Sequence, residues 1–210
     1  ISCSLVGSEM CIRDSTCTKS NEGFATAGGV QYVACAGNFK DAGLEYTGAL
    51  KVLQMIFSYE YLWIQIRVKG GAYGCMCSFS DQGDSMFVTY RDPNLSESYK
   101  VYDEAADYVA DFDADDRDMK KYIIGTIGSM DMPMEAVDMG ARSFHAYFLG
   151  KTEADLQKVR DQVLSCTQED IRALAPIVKA VVEAGNRCCI GNEEKIDQNK
   201  EYFDEVKHVL

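Results

Sequence analysis

The stretch YTGALKVLQMIFSYEYLWIQIRVKGGAYG, residues 46–74, contains the transition that decides the fold. Its first part, up to Ile66, is apolar almost all round, which is typical of a helix that is buried on several sides. Gly70, the first of the two adjacent glycines Gly70 and Gly71, predicts the end of this helix, since a glycine just past a helix end adopts a positive φ angle at low cost. From Ala72 the pattern becomes that of a strand, so a buried helix runs directly into a sheet.

Arg67 and Tyr73 flank these two glycines, and their spacing alone leaves two interpretations open. In the structural one, Arg67 is a cation that suits the negative end of the helix dipole. In the functional interpretation, both side chains bind one ligand. On a straight strand, six residues would separate the two Cα atoms by roughly 20 Å, at about 3.3 Å per residue. A Gly-Gly bend would instead bring the guanidinium and the phenol together, with bare backbone beside them.

Strand patterns lie on both sides of the helix. Gly28–Phe39 is rich in β-formers and bounded by glycines, and Arg187–Gly191 is a second short strand. Ala72–Phe79 and Met86–Arg91 bracket the turn sequence SDQGD, which predicts a hairpin. Three or four strands with helices on one face predict an α+β two-layer sandwich, in which helices cover a small antiparallel or mixed sheet.

The remaining segments predict helices. One follows Asn94, which is expected to cap it, with Glu97 three residues later completing a capping box. Thr152 with Asp155, and Thr167 with Asp170, are further start signals of the same kind. The later helices are predicted over Asp115–Ser129, Glu135–Leu149, Glu153–Ser165, Glu169–Ala184 and Glu193–Val206.

Composition limits the function classes. The chain has 210 residues, of which 47% are hydrophobic and 26% charged, and this allows one domain with a sizeable core. The net charge of −12 argues against a nucleic-acid partner and permits basic peptides. No uninterrupted apolar run reaches membrane-spanning length, so no membrane partner is expected. The nine cysteines form no C-x-x-C motif and no signal peptide is visible, which favours buried thiols in the reducing cytoplasm.

The residues by themselves reveal no self-contained active site. The two histidines, His145 and His208, have no partner at metal-ligand spacing, and neither H-E-x-x-H nor H-x-x-E-H occurs. No G-x-S-x-G sequence marks a nucleophile. We therefore expect no metal site in this chain.

The N-terminal residues 1–15 match no helix or strand pattern. The sequence SLVGSEMCIRDS, from Ser4 to Ser15, resembles the translation of a sequencing-library adapter. We therefore interpret residues 1–15 as a non-native lead-in and residues 16–210 as one αβ domain. A native disordered lead-in is the alternative.

Several long motifs, in order along the chain, carry a family resemblance. They are VQYVACAGNF, YTGALKVLQMIFSYEYLW, RVKGGAYGCMCSFS, YRDPNL, DADDRDMKKYIIGTI and IGNEEKI. Together they resemble the C-terminal region of presequence-protease-like peptidases, which belong to the pitrilysin/insulinase family of zinc peptidases. The resemblance extends from about Asn21 to Phe203.

The resemblance implies a division of labour between domains. Family members close four αβ domains around a peptide chamber, and the zinc with its ligands lies in the first domain, outside this chain. The last domain supplies an R-x-x-G-G-A-Y-G stretch. Here Arg67 would hold a substrate carbonyl, and Tyr73 would donate to the oxygen that gains charge when water attacks. Gly70, Gly71 and Ala72 would let the peptide backbone pass close by.

The expected function is therefore that of the C-terminal, substrate-binding part of a zinc endopeptidase that degrades oligopeptides inside a closed chamber. Its partners would be peptide substrates and the N-terminal zinc-binding half of the same enzyme, and the chain alone is expected to be inactive. Two alternatives remain. The chain is a non-catalytic half-subunit that pairs with a separate zinc-bearing chain, or a small-molecule-binding domain unrelated to peptidases.

Overall fold

The computed structural model describes residues 19–209, and the interpretation of residues 1–15 lies outside them. Six strands form one sheet: β1 (Glu22–Thr26), β2 (Tyr32–Asn38), β3 (Gly74–Phe79), β4 (Asp84–Tyr90), β5 (Asn186–Asn192) and β6 (Glu205–His208). Their spatial order is β3-β4-β2-β5-β1-β6. β1 pairs in parallel with β5 and β6, whereas the other neighbours are antiparallel. The mixed sheet and the predicted hairpin are confirmed, but three or four strands was too few.

Helices occupy most of the sequence between β2 and β3 and between β4 and β5, and one short helix follows β5. They are α1 (Ala49–Ile56), α2 (Ser96–Asp103), α3 (Ala105–Ala110), α4 (Asp116–Met130), α5 (Ala136–Phe148), α6 (Glu153–Leu164), α7 (Gln168–Arg172), α8 (Ala175–Glu183) and α9 (Glu193–Gln198). The capping boxes at Thr152 and Thr167 are confirmed. The predicted helix over Glu169–Ala184 is divided into α7 and α8, because Pro176 in the first turn of α8 favours a new helix start.

The helix predicted up to Ile66 is longer and less regular than expected. α1 continues through two π-helical stretches, Phe57–Tyr61 and Trp63–Lys69. The side chains of α1 that face the sheet are fully buried, among them Leu50, Leu53 and Ile56. Burial on several sides explains why this segment is apolar almost all round.

The helices cover one face of the sheet. Side chains alternate between the two faces of a strand, and on β2 and β4 the residues that face the helices, Val33, Cys35 and Phe87, are buried. The opposite face is more exposed, as shown by Tyr32 and Met86. This arrangement is the predicted two-layer α+β sandwich.

The closing helix predicted over Glu193–Val206 is wrong. α9 ends at Gln198, and a 3-10 turn at Lys200–Tyr202 leads into β6. The chain leaves the helix because its last residues pair with β1 at the edge of the sheet. β1 itself was missed, since Gly23 interrupts its pattern; a Cβ there would lie 3.0 Å from Ile196 and Phe203 side-chain atoms.

Two further features bear on the expectations from composition. All six cysteines within residues 19–209 are free, and burial raises the pKa of Cys35 to about 11 and that of Cys189 to about 12. These thiols therefore pack as apolar groups, as predicted. None of the described helices has the length and apolar character needed to cross a membrane.

Every residue of α5 is at least partly exposed.

Candidate functional site

Arg67 and Tyr73 lie side by side at the end of the buried helix. The Cζ atom of Arg67 lies 5.9 Å from the centroid of the Tyr73 ring and 4.0 Å from that of the Trp63 ring. Both side chains are exposed, and 64% of Tyr73 is accessible. The bend predicted between helix and strand thus brings the guanidinium and the phenol together.

The backbone between these residues is fixed by a tight set of hydrogen bonds. The N–H of Gly70 donates to the carbonyl of Gln65 at 3.0 Å, and that of Gly71 donates to Arg67 at 3.0 Å. The N–H of Ala72 donates to Ile66 at 3.1 Å. These backbone hydrogen bonds therefore close the end of the helix, so it is not frayed.

The two glycines are needed for different reasons. Gly71, not Gly70, adopts the positive φ angle, at 80°, a region that side chains with a Cβ rarely enter. Gly70 stays in the right-handed region with φ −79°. A Cβ at Gly70 would lie only 2.5 Å from the carbonyl oxygen of Ile66, so this position requires glycine for space.

Asn94 holds this bend instead of capping a helix. Its Nδ2 donates to the carbonyl oxygen of Gly70 at 2.6 Å. The predicted capping box with Glu97 is wrong, because α2 begins at Ser96 with Leu95 at the N-cap and no side-chain cap bond. The carbonyl at a helix end lacks an intrahelical partner, and the Asn94 amide supplies one.

The carboxylate of Asp92 fixes the position of Asn94. Its Oδ1 accepts from the N–H of Asn94 at 2.9 Å, and its Oδ2 accepts from Oγ of Ser98 at 2.6 Å. The Asp92 backbone pairs with that of Gln31 in both directions, at 2.7 and 2.8 Å. Asp92 is completely buried, and this burial raises the pKa of its carboxyl group despite the hydrogen bonds, which lower it. A buried polar network thus fixes the bend.

An aromatic row leads from Tyr73 onto the exposed face of the sheet. The rings of Tyr73 and Tyr90 are 5.7 Å apart, and those of Tyr90 and Tyr32 are 5.5 Å apart, both edge to face. Arg91, beside Tyr90, has a positive φ of 49°, and its carbonyl accepts from the N–H of Tyr73 at 3.2 Å. Strained residues of this kind concentrate at functional sites.

Trp63 and Tyr90 contact Arg67 and Tyr73 but were not predicted to do so, although the sequence contains a signal for each contact. Trp63 precedes Arg67 by four positions, the spacing that places two side chains on one helix face. Tyr90 pairs with Gly74 across the predicted hairpin, which puts its ring next to the residue before Gly74. Neither signal identifies a site without the bend.

The candidate site offers donors that the described part of the chain does not use. Within residues 19–209, neither the guanidinium of Arg67 nor the hydroxyl of Tyr73 has a hydrogen-bond acceptor. Gly71 is exposed beside them, whereas the methyl group of Ala72 is buried. This surface can bind an acceptor-rich ligand such as a peptide backbone.

The described residues do not form a metal centre. No group of three or more His, Cys, Asp or Glu side chains among them is placed to hold an ion. His145 is exposed on α5, and Nδ1 of His208 lies 3.2 Å from a carboxylate oxygen of Glu193. The donor set of this part of the chain therefore does not fit zinc.

The family model of the PreP C-terminal domain matches residues 21–192. This chain belongs to that family. The matched range contains the buried helix, the hairpin and the whole candidate site. Its members are the C-terminal domains of presequence-protease-like M16 peptidases, as the motif resemblance implied.

Curated relatives of this PreP C-terminal domain are much longer proteins. Protein HypA of Clostridium perfringens is 43% identical over 192 residues, which cover 91% of this chain and 20% of that protein. Presequence protease 1, chloroplastic/mitochondrial, of Arabidopsis thaliana is 34% identical over 194 residues, covering 90% of this chain and 18% of that protein. The chain thus spans about a fifth of the length of these relatives.

The fold of this PreP C-terminal domain also occurs in solved structures. The peptidase M16 inactive domain from Pseudomonas fluorescens superposes with a TM-score of 0.59 at 15% identity. The match covers 82% of this chain and 43% of that one. At this identity the similarity establishes the α+β fold alone.

Proposed function

We propose that this domain is the substrate-binding wall of a zinc-dependent endopeptidase that degrades oligopeptides inside a closed chamber. Arg67 and Tyr73 would contact the peptide at the bond that is cleaved. One observation carries the proposal: an exposed guanidinium and an exposed phenol are held together on a rigid, hydrogen-bonded bend, and neither has an acceptor among the described residues. Such preorganised donors are what a developing negative charge requires.

The two side chains would have different tasks. The charged, planar guanidinium of Arg67 suits a substrate carbonyl and stays oriented because Trp63 stacks under it. The hydroxyl of Tyr73 would donate to the oxygen that gains charge as the peptide bond is attacked. A donor of this kind typically contributes a few kcal/mol to the lowering of the barrier.

The bend would also admit the substrate backbone. Gly71 is exposed. Because glycine has no side chain, an extended peptide can approach its backbone closely. Gly70 and Ala72 would contribute by fixing the shape of the bend that the substrate meets, since the Gly70 carbonyl is bound by Asn94 and the N–H of Ala72 donates to Ile66. The net charge of −12 supports basic peptides as substrates.

Zinc would be supplied by the part of the enzyme that this chain lacks. The donors described here do not fit the metal, and the relatives are about five times longer. The partner of this domain would therefore be the N-terminal zinc-binding half, and the isolated chain would be inactive. We place the enzyme in the reducing cytoplasm because the six cysteines among the described residues are free and four of them are buried.

Two substitutions in the complete enzyme test this function. Arg67→Ala and Tyr73→Phe should each lower kcat/KM by about 10²- to 10³-fold, the usual effect of removing one transition-state donor, while the zinc content stays constant. Matched controls are Arg117→Ala and Tyr147→Phe, which change exposed residues on α4 and α5. Unchanged turnover in both site variants would exclude the proposed roles. Activity that appears only after mixing with a separately encoded zinc chain would support the half-subunit alternative.

A further inference from the structure

A second candidate site lies away from Arg67 and Tyr73. A cavity of about 770 Å³ opens between α1, α4 and α6, beside the tip of the β3–β4 hairpin. Its volume is within the range of about 300–1,000 Å³ that is typical of small-molecule sites. No residue of the bend or of the aromatic row lines it. The cavity therefore requires its own explanation.

The charge of this cavity is opposite to that of the whole chain. Three cationic side chains, Lys51, Arg142 and Lys151, line it together with one carboxylate, Asp81, although the net charge of the protein is −12. Lys151 pairs with Asp81. Lys51 and Arg142 form no ion pair within residues 19–209. Two cations thus face one cavity without a salt bridge among the described residues, although Arg142 donates to the Sδ atom of Met134 at 4.0 Å and influences the carboxylate of Asp131.

Lys51 is the more constrained of the two cations. It projects from the buried helix α1 and is half-buried. Burial lowers the pKa of its ammonium group, the neighbouring Lys151 and Arg142 lower it further, and only Asp81 acts in the opposite direction. An anion beside Lys51 would offset both the cost of desolvation and the repulsion, because an opposite charge favours the ionised form of the ammonium group.

The remaining polar groups determine which kind of anion fits. The hydroxyl groups of Ser58 and Ser129 already donate to carbonyl oxygens of their own helices, at 2.7 and 3.1 Å. The Tyr46 phenol keeps its proton at neutral pH, because burial, with a smaller contribution from Asp81, raises its pKa to about 12. The available donors therefore include the Lys51 ammonium, the Arg142 guanidinium and the Tyr46 phenol, beside the Gln54 amide and the Tyr59 hydroxyl of the same lining. Cationic and neutral donors of this kind match phosphate or carboxylate oxygens.

Apolar side chains complete the walls. Met55 on α1 and Leu156 with Val159 on α6 line the cavity next to the charged groups. A mixed lining of this kind suits an organic molecule with an anionic group better than a bare inorganic ion. We propose that this cavity binds a small organic anion whose phosphate or carboxylate group contacts Lys51 and Arg142. The proposal is independent of the peptidase function.

Calorimetric titration of the 210-residue chain tests the site. The probes are phenyl phosphate for the phosphate arm and benzoate for the carboxylate arm, each at low ionic strength with matched chloride. We expect saturable binding of at least one probe, weakened at least tenfold by Lys51→Gln and by Arg142→Gln. Lys179→Gln and Arg117→Gln, which remove exposed cations outside the cavity, should change the affinity less than twofold.

A third variant keeps the test decisive if Lys51→Gln fails to fold. Asp81→Asn removes the only carboxylate among the described residues that line the cavity and releases Lys151, so the preferred anion should bind more tightly. Absence of saturable binding for both probes would overturn the proposal. Equal weakening in the cavity variants and the two controls would overturn it as well, because the binding would then reflect overall charge.

Discussion

The Cζ atom of Arg67 lies 5.9 Å from the ring centroid of Tyr73, although the two residues are six positions apart in the sequence. A straight strand would separate their Cα atoms by roughly 20 Å. The chain brings them together by ending a helix at Lys69 and turning through Gly71, whose φ is 80°. A stretch of eight residues therefore brings these two side chains together, and the rest of the domain holds the bend in place.

Trp63 should act on turnover through Arg67. Its ring lies 4.0 Å from the Arg67 Cζ, and an exposed cation–π contact is worth about 0.5–1 kcal/mol. We expect Trp63→Leu to lower kcat/KM of the complete enzyme about two- to fivefold, and Trp63→Phe to restore most of the loss. Steady-state kinetics with circular dichroism as the folding control measures this. Equal rates for Leu and Phe variants would show that the ring does not orient Arg67.

Asn94 should matter more for activity than for stability. Asn94→Ala removes the hydrogen bond to Gly70, which costs about 1 kcal/mol of unfolding free energy, and frees the bend. Asn94→Asp should be worse, since a carboxylate oxygen then faces a carbonyl oxygen. Asn186→Ala is the matched control, because its Nδ2 also donates to a backbone carbonyl, that of Ala36, at 3.1 Å. If both alanine variants lose stability but keep full turnover, Asn94 has only a structural role.

The glycines of the bend should respond differently from a glycine in a helix. Gly71→Ala forces a Cβ into a left-handed conformation and should cost roughly 1–2 kcal/mol. Gly70→Ala should cost at least as much, because its Cβ would meet the Ile66 oxygen at 2.5 Å. Gly128→Ala, on α4 with nothing within 4 Å, should instead stabilise by about 0.5–1 kcal/mol. Urea unfolding measures the free energy of unfolding of the three variants. A stabilising Gly70→Ala would show that the helix end has room for a Cβ atom at position 70.

The sequence was informative wherever the deciding forces are local. The buried helix, the hairpin and the capping boxes at Thr152 and Thr167 follow from periodicity and from neighbouring residues, and all were predicted. The position of the positive φ was assigned less well, since two adjacent glycines satisfy the same local rule. Only the contact between a Gly70 Cβ and the Ile66 oxygen distinguishes their roles.

What the sequence could not reveal depends on distant partners. β6 forms because it pairs with β1, and the N–H of Asn21, the residue before β1, donates to the Asp204 carboxylate across 183 positions. Asn94 follows a cap pattern, yet its amide is used by Gly70, 24 residues earlier. Local patterns predict the wrong hydrogen-bond partner where, as for Asn94, the side chain binds a residue that is distant in the sequence.

The buried carboxyl group of Asp92 should make the stability of the domain depend on pH. Burial raises its pKa in the folded state above the ordinary value of 3.8, so between these two values the folded state holds a proton that the unfolded state has released. The contribution of Asp92 to the unfolding free energy is therefore fully present below the ordinary pKa and is lost as the pH rises through the folded pKa.

Asp92→Asn isolates this effect from the many other carboxylates of the chain. An amide at position 92 can still accept from the N–H of Asn94, and its own N–H₂ can donate to Ser98, but it does not titrate. The stability of the wild-type domain relative to Asp92→Asn should thus decrease as the pH is raised from about 4 to 7. Asp107→Asn, at an exposed position on α3, should show no such trend. Parallel pH profiles for wild type and Asp92→Asn, measured by urea unfolding, would mean that Asp92 is ionised throughout and that Ser98 and Asn94 fully offset its burial.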